Sequence, residues 1–234
     1  MHVGAAPAAA GSSTSAGKRT ARRLIQLAAL FGGAGRLDWI RGWIDVALTV
    51  AGLVVVTIIV HRCNPGLVKE RINFREKEIK PFDTYFIGFL LVSKPLQLGV
   101  AGMDAVRFHW SSMPFAFVYL GTLVFIAAMA LLAWTLSVNP FAESTVRIQK
   151  DRGQKVIESG PYAIVRHPMY VGMILQSVAT PLILGSVWAF TVTGVLIVLI
   201  IVRTAWEDRT LFRELLGYEK YAARTRYRLM PGLW

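Results

Sequence analysis

The sequence has few charged residues and a single cysteine. Charged side chains make up 17% of its 234 residues, well below the roughly 25% of soluble domains. Cys63 alone excludes an intrachain disulfide and a cysteine-rich metal site. The histidines lack HxxxH and HxxE spacing, so we predict no metal. Glycine-rich nucleotide motifs and GxSxG are also missing, which excludes a Rossmann domain, a P-loop and an α/β-hydrolase.

Acidic residues are scarce as well. The 26 Lys and Arg outnumber the 14 Asp and Glu, giving a formal net charge of +12. In a soluble protein this excess would indicate nucleic-acid binding. Here the cations flank long apolar blocks, hydrophobic residues reach 54%, and the mean hydropathy is +0.48. Cations at the ends of apolar spans anchor membrane proteins against anionic head groups, so we expect a multi-pass membrane protein without a nucleic-acid partner.

The apolar blocks predict an all-α integral membrane protein with about five transmembrane helices. From His167 to Val202 no Asp, Glu, Lys or Arg occurs over 36 residues. One helix of that length would extend about 54 Å, against a hydrocarbon core of about 30 Å. A helical hairpin turning at Gly185-Ser186 is therefore predicted. The expected spans are Trp39–Val60, Thr84–Met103, Met113–Val138, Pro168–Leu184 and Val187–Thr204, the last continuing into a cytosolic amphipathic extension.

We divide the chain into three regions. Residues 1–22 are Ala/Ser-rich, basic and free of acids, which is typical of a disordered tail or of an organellar transit peptide. We expect residues 23–140 to form a membrane domain with the first three spans, and residues 141–234 to form a region with the last two spans and the C-terminal segment. The cation-rich loops at 62–83 and 143–166 are expected in the cytosol. Lys94, beside Pro95 within a span, either snorkels or lines a cavity.

A polar cluster immediately precedes the hairpin. Gly160-Pro161 is a turn that aims Tyr162 toward His167, and Pro168 fits the first turn of a helix. The N–H groups at that helix start suit an anion. After the hairpin, Arg203 and Glu207 are four residues apart and share a helix face. We predict a site from these two halves.

The remaining charged residues near the spans are interpreted as structural. Asp208 and Glu214 are predicted on the solvated face of the last helix. Arg41 and Asp45 are expected to pair along one helix face, and Asp104 is expected in a loop on the far side.

The segment Arg166-His167-Pro168-Met169-Tyr170-Val171-Gly172 resembles the RHPxYxG signature of the isoprenylcysteine carboxyl methyltransferase family. The pair Glu207-Asp208 and the tyrosine-rich tail around Tyr218 and Tyr227 resemble its C-terminus. The resemblance extends over residues 150–234, and the compact chain looks like a bacterial relative. It implies S-adenosylmethionine-dependent methylation of a membrane-embedded lipidic acceptor, with the active site facing the cytosol from a bacterial inner membrane.

The resemblance also implies individual roles. Arg203 and Glu207 are the expected catalytic residues: Glu207 would meet the ammonium of S-adenosylmethionine, and Arg203 would hold the acceptor. The other expected cofactor-binding residues are Gln154, Lys155, Val156, Ile157, Tyr162, His167, Pro168, Met169 and Tyr170.

Three functions remain open at this stage. The first is O-methylation of a lipidic carboxylate, which is ionised at neutral pH and needs no general base. The second is N-methylation of a phospholipid amine, which must lose a proton first and would use His167. Membrane sterol reductases are also similar at these motifs, but they would need more spans. The third is a non-enzymatic scaffold or transport component. The oligomeric state is not predicted.

Overall fold

The computed structural model describes residues 10–72, 81–143 and 147–234. These residues form helices and connecting segments without a strand, which confirms the predicted all-α fold. The helices are α1 (Ala10–Ala34), α2 (Ile40–Cys63), α3 (Pro65–Ile72), α4 (Pro81–Gly102), α5 (Ala116–Val138), α6 (Pro168–Leu184), α7 (Ala189–Glu214) and α8 (Tyr218–Arg224). A π-helical turn at Met103–Arg107 follows α4, and 3₁₀ turns lie at Lys150–Arg152 and Gly160–Ala163.

Four of the described helices are long and apolar enough to cross a membrane: α2, α4 with its π-helical extension, α5 and α7. They correspond to four of the five predicted spans. The fifth, α6, has 17 residues, or about 26 Å at 1.5 Å per residue, the lower end of the spanning range. The last helix continues without a break from its apolar part into the predicted amphipathic extension, as α7.

The outer faces of these helices carry large apolar side chains. Val54, Leu123, Ile126 and Val198 each expose more than half of their surface. Contiguous apolar surface of this kind is rare on soluble monomers and is typical of a lipid-facing bundle. The membrane prediction therefore agrees with the side-chain placement as well as with the composition.

The hairpin between α6 and α7 turns where the sequence predicted. Gly185 ends α6 with φ +78°, a conformation that a residue without Cβ adopts at little cost. Asp104 holds this turn: its Oδ2 accepts hydrogen bonds from the Ser186 hydroxyl (2.6 Å), the Ser111 hydroxyl (2.7 Å) and the Trp188 N–H (3.1 Å). The prediction that Asp104 is a loop residue was wrong, because it is fully buried and caps the start of α7.

Small residues let α5 and α6 pack closely. A Cβ added at Gly121 would lie 2.8 Å from Ile183 Cγ1, and one added at Gly172 would lie 2.7 Å from Leu132 Cγ. Close backbone approach at small residues is a usual way to join helices in membranes, where apolar burial alone gives little preference. This contact fixes α6, and with it the polar cluster at its start, against α5.

The N-terminal region differs from the prediction. Residues 1–9 lie outside the described residues, but α1 begins at Ala10, so residues 10–22 are helical where a disordered tail was predicted. Residues 10–22 hold three alanines but seven Ser, Thr and Gly, which are weaker helix formers, so intrinsic propensity does not account for this part of the helix. The end of α1 packs against α4: a Cβ added at Gly33 would lie 2.5 Å from Gly99 O. Tertiary packing therefore extends a helix that the composition alone does not predict.

Arg41 and Asp45 do not pair as predicted. The Arg41 guanidinium donates to Met113 O at 2.7 Å and lies over the Phe115 ring. Asp45 is buried, and the charge that acts on it is that of Lys94 on α4. Each side chain thus contacts a neighbouring element, which a pattern within one helix does not show.

Candidate active site

A cleft lies between the segment after α5, the turn before α6, the end of α7 and α8; we call it the His167 cleft. Its empty volume is about 790 Å³ including the open side. Nine of the predicted residues line it: Gln154, Lys155, Val156, Ile157, Tyr162, His167, Met169, Tyr170 and Glu207. Residues that are about fifty positions apart in the sequence thus meet at one surface. The predicted residues Pro168 and Arg203 do not line the cleft.

Tyr162 is held by the turn at Gly160–Ala163. Gly160 has φ +62°, and the turn brings the Tyr162 hydroxyl to the Asn139 side chain, which donates to it at 2.7 Å. The Tyr221 hydroxyl donates to the Tyr162 carbonyl at 2.7 Å. Burial raises the pKa of Tyr162 to about 12, so its phenol is neutral at physiological pH. An uncharged ring fixed from two sides can form an apolar wall of the cleft.

The start of α6 is occupied by the C-terminal segment. The Arg166 N–H donates to Tyr227 O at 2.9 Å, and the His167 N–H donates to Arg228 O at 3.0 Å. Pro168 follows at the first helical position and has no N–H. The His167 N–H is therefore not available to an anion, and anion binding at the remaining N–H groups of the helix start stays a prediction. Pro168 is buried and contributes the helix start rather than a wall of the cleft.

Asp208 is the centre of a buried polar network behind the cleft. Its carboxylate accepts hydrogen bonds from the Tyr218 hydroxyl (2.8 Å) and Arg228 Nε (2.8 Å). It also lies 3.2 Å from Arg166 Nη1 and 3.2 Å from His167 Nε2. Only 1% of the residue is exposed, so the prediction of a solvated side chain was wrong. Asp208 joins the start of α6 to α7, α8 and the C-terminal segment.

The network also changes the pKa of the Tyr218 phenol, which contacts Asp208. Burial, followed by the charge of Asp208 and the hydrogen bond to it, raises the pKa of Tyr218 far above its ordinary value. Tyr218 therefore stays a hydrogen-bond donor to Asp208 across the physiological range. Arg166 Nη1 lies 3.2 Å from Asp208, and Arg166 Nη2 donates to Arg226 O at 3.3 Å. Arg166 therefore balances the buried carboxylate.

Glu207 carries the negative charge on the floor of the cleft. Its carboxylate accepts a hydrogen bond from the Tyr170 hydroxyl, and its Oε1 lies 4.0 Å from His167 Nδ1. The side chain keeps 22% of its surface exposed, toward the cleft. The Tyr170 ring stacks on His167 with a centroid distance of 5.8 Å. A partly exposed carboxylate beside two aromatic rings suits a ligand that carries a positive charge.

Arg203 lies one helical turn before Glu207 but behind the cleft. Its Nη2 contacts Asp83 Oδ1 at 2.6 Å, and its guanidinium lies over the rings of Phe86 (4.3 Å) and Tyr170 (5.3 Å). The residue is 4% exposed. The structure thus places Arg203 between α4 and Tyr170, where it supports the wall of the cleft. Its expected contact with the acceptor stays a prediction.

The sequence reasoning missed several residues of the cleft. Asn139, Phe141, Glu143, Arg147, Leu211 and Tyr221 line it, and Asp208 supports it. One signal for Asp208 was available: Ile200, Thr204 and Asp208 follow at intervals of four residues, and all three are buried. Asn139 gave no comparable signal, because only the tertiary fold brings the end of α5 to Tyr162.

These geometric results can be compared with known families. Residues 116–216 match the family model described as phospholipid methyltransferase. The match is to a membrane methyltransferase family, and it includes α5, the polar cluster, the hairpin and Glu207. It supports the broader prediction of a membrane methyltransferase; the narrower resemblance to isoprenylcysteine carboxyl methyltransferases stays a prediction. No curated protein matches the chain.

Proposed function

We propose that this protein transfers a methyl group from S-adenosylmethionine to a lipid acceptor. The observation that carries the proposal is the His167 cleft, which brings nine predicted residues together at the start of the uncharged hairpin. The family match supports the proposal, because the matched residues include both the cluster before the hairpin and Glu207 after it. A site at the end of apolar helices is accessible to a lipid from the bilayer and to a soluble cofactor from the aqueous side.

The chemistry of the lining fits the proposed cofactor. Glu207 provides a carboxylate for its ammonium, and the neutral Tyr162 phenol with Val156 and Ile157 provides an apolar wall for its adenosine. When bound, S-adenosylmethionine supplies an activated methyl group on a sulfonium. The protein then has to orient the two reactants and exclude water. Tyr170 and His167 are suited to this, because their stacked rings are held by Glu207 and Asp208.

We further infer that the acceptor is an amine rather than a carboxylate. A carboxylate would be oriented by an arginine, but Arg203 is buried against Asp83 outside the cleft. The two arginines that do line the cleft are already paired with carboxylates, Arg147 with Glu143 and Arg166 with Asp208. An ammonium has to lose a proton before it attacks a methyl group. His167 lines the cleft and is the imidazole suited to receive that proton. A phospholipid amine agrees with the description of the matching family.

We also propose that the cleft faces the cytosol. The loops around 62–83 and 143–166 and the C-terminal region are rich in Lys and Arg, and such segments stay on the cytosolic side of a membrane.

Reaction of a purified sample with methyl-labelled S-adenosylmethionine and native membranes tests the acceptor. Label in a base-stable lipid supports an amine, whereas label released as methanol by mild base would show a carboxylate. An absence of any labelled product would contradict the methyltransferase proposal.

Glu207→Gln tests the cofactor site directly. Replacing the carboxylate removes a charge-assisted hydrogen bond worth about 1.5–3 kcal/mol, so we expect S-adenosylmethionine to bind about 10- to 150-fold more weakly. Glu219→Gln, which removes an exposed acid on α8, is the matched control and should bind like wild type. Titration calorimetry of the purified proteins measures both. Equal affinities in the two variants would remove Glu207 from the site.

A further inference from the structure

A second cavity lies beside the part of α6 that carries Met173 and Gln176; we call it the Lys94 chamber. Its empty volume is about 1510 Å³ including the open side. Four cations line it: Arg22 and Arg23 from α1, Arg71 from α3, and Lys94 from α4. Three of these residues are outside the proposed cofactor site; the fourth, Arg71, donates to Ala142 O in the wall of the His167 cleft at 2.6 Å.

The positive charge of Lys94 lies within the span α4, where an unbalanced charge is energetically unfavourable. Ionisable residues inside membrane bundles mark ligand or ion pathways, because an uncompensated charge in the apolar layer is unfavourable. Two charged residues act on Lys94: Asp45, whose charge has the opposite sign, and Arg23, whose charge has the same sign. Asp45 therefore acts on Lys94 and Glu143 acts on Arg71, whereas the described lining of the chamber holds no carboxylate beside Arg22 and Arg23. The chamber thus has an excess of positive charge. An anionic ligand would balance it.

The walls of the chamber are built to hold Lys94 in place. Its ammonium donates to the Thr180 hydroxyl at 2.6 Å and lies 3.5 Å from Gln97 Oε1. Gln97 is itself fixed, since its amide donates to Ser177 O (2.8 Å) and to the Thr193 hydroxyl (2.7 Å). A lysine has three N–H donors, of which these contacts use two. The third is suited to an oxygen of a ligand in the chamber.

One face of α6 connects the chamber to the His167 cleft. Met169 lines the cleft, while Met173 and Gln176 line the chamber, and Thr180 contacts Lys94. The intervals of four, three and four residues place all four side chains on a single face. Met173 is about 4.5 Å along the helix axis from Tyr170, so the near end of the chamber adjoins the proposed reaction site.

The chamber is amphipathic, which favours a lipid over a soluble anion. Leu53, Leu90 and Leu196 line it together with the cations. A phosphate-bearing head group would meet the cations, and the first methylenes of its acyl chains would meet the leucines. A small inorganic anion would leave this apolar surface unused.

We propose that the Lys94 chamber binds the phosphate of the lipid acceptor and so selects acceptors that carry a phosphate in the head group. This inference rests on the proposed function for the identity of the ligand as the acceptor. The end of the chamber at Met173 adjoins the His167 cleft, and Lys94, Arg22 and Arg23 make the chamber positive.

Native mass spectrometry of the full chain in detergent tests the chamber. The probes are phosphatidylethanolamine and a diacylglycerol with the same acyl chains. We expect wild type to retain the phospholipid and Lys94→Gln to lose about tenfold in affinity for it. The double variant Arg22→Gln/Arg23→Gln, which removes the two cations that α1 contributes to the chamber, should lose about fivefold per cation. Arg209→Gln/Arg213→Gln removes two exposed cations and should behave like wild type.

The outcomes separate this proposal from the function proposed above. Phosphatidylethanolamine bound equally by wild type, Lys94→Gln and the Arg22/Arg23 variant would overturn the chamber as a phosphate site. Equal retention of diacylglycerol and phosphatidylethanolamine would overturn it too. Displacement of the phospholipid by millimolar inorganic phosphate would overturn a lipid as the occupant. S-adenosylmethionine binding, measured in the same samples, should be unchanged in all chamber variants; its absence from wild type would contradict the proposed function and leave the phosphate site standing.

Discussion

Replacing Asp208 by alanine should destabilise the end of the bundle that carries the active site. Asp208 is 1% exposed and faces two almost fully buried groups, the side chains of Arg166 (7% exposed) and His167 (4% exposed). Removing one partner of a buried ion pair costs about 3–5 kcal/mol, because the other charge is left uncompensated. Arg228 is 32% exposed, so solvent screens its share of the interaction. The loss should therefore lie near the lower end, at about 3 kcal/mol.

The assay is thermal unfolding of the purified protein in detergent. For a chain of this size, 1 kcal/mol corresponds to about 2–4 °C, so Asp208→Ala should lower the midpoint by about 6–12 °C. Asp208→Asn keeps the side-chain shape and one acceptor oxygen, so its unfolding midpoint should lie between those of wild type and Asp208→Ala. Glu219→Gln removes an exposed acid and should stay within about 0.5 kcal/mol of wild type. A midpoint for Asp208→Ala within about 2 °C of wild type would refute the assignment of Asp208 as the centre of the network.

Two further variants test local features. Tyr162 has a raised pKa, about 12, so its neutral form stabilises the fold below pH 10 and the contribution is lost as the pH rises from about 10 to 12. Tyr162→Phe should show a smaller alkaline loss of thermal stability than wild type, and an equal loss would contradict this; at neutral pH it should cost about 1 kcal/mol through the bond to Asn139. Gly185→Ala should cost about 1–2 kcal/mol in a thermal melt because φ is +78°. Gly194→Ala, in a helix with open space around it, should not destabilise.

The spans and the hairpin turn could be predicted because they depend on local properties. Helix length and hydropathy are sums over neighbouring residues, and the bilayer thickness sets the limit that 36 uncharged residues exceed. Gly185 is similarly local, since only its own φ has to be positive. For the same reason α6 begins at Pro168, where the sequence placed it. The N-terminal helix was missed because its packing partner, α4, is distant in the chain.

The candidate site was predictable as a set of residues but not as an arrangement. The motif resemblance and the four-residue spacing named Tyr162, His167 and Glu207, and the structure brings them to one cleft. The role of Arg203 differs, because its partner Asp83 lies on another helix. Charge pairing between helices depends on which helix faces are in contact, and the hydropathy of the sequence does not specify those contacts.

The sequence by itself determined the kind of molecule: an all-helical membrane protein with a polar cluster beside an uncharged hairpin. Those features follow from composition and local spacing, because the thickness and apolarity of the bilayer set the length and hydropathy of a spanning helix. Only the tertiary structure decided that Asp208 is buried among Arg166, His167, Tyr218 and Arg228, and that Lys94 lines a chamber. The physical reason is that a buried charge is stable only beside its partners, and these partners come from helices far apart in the chain.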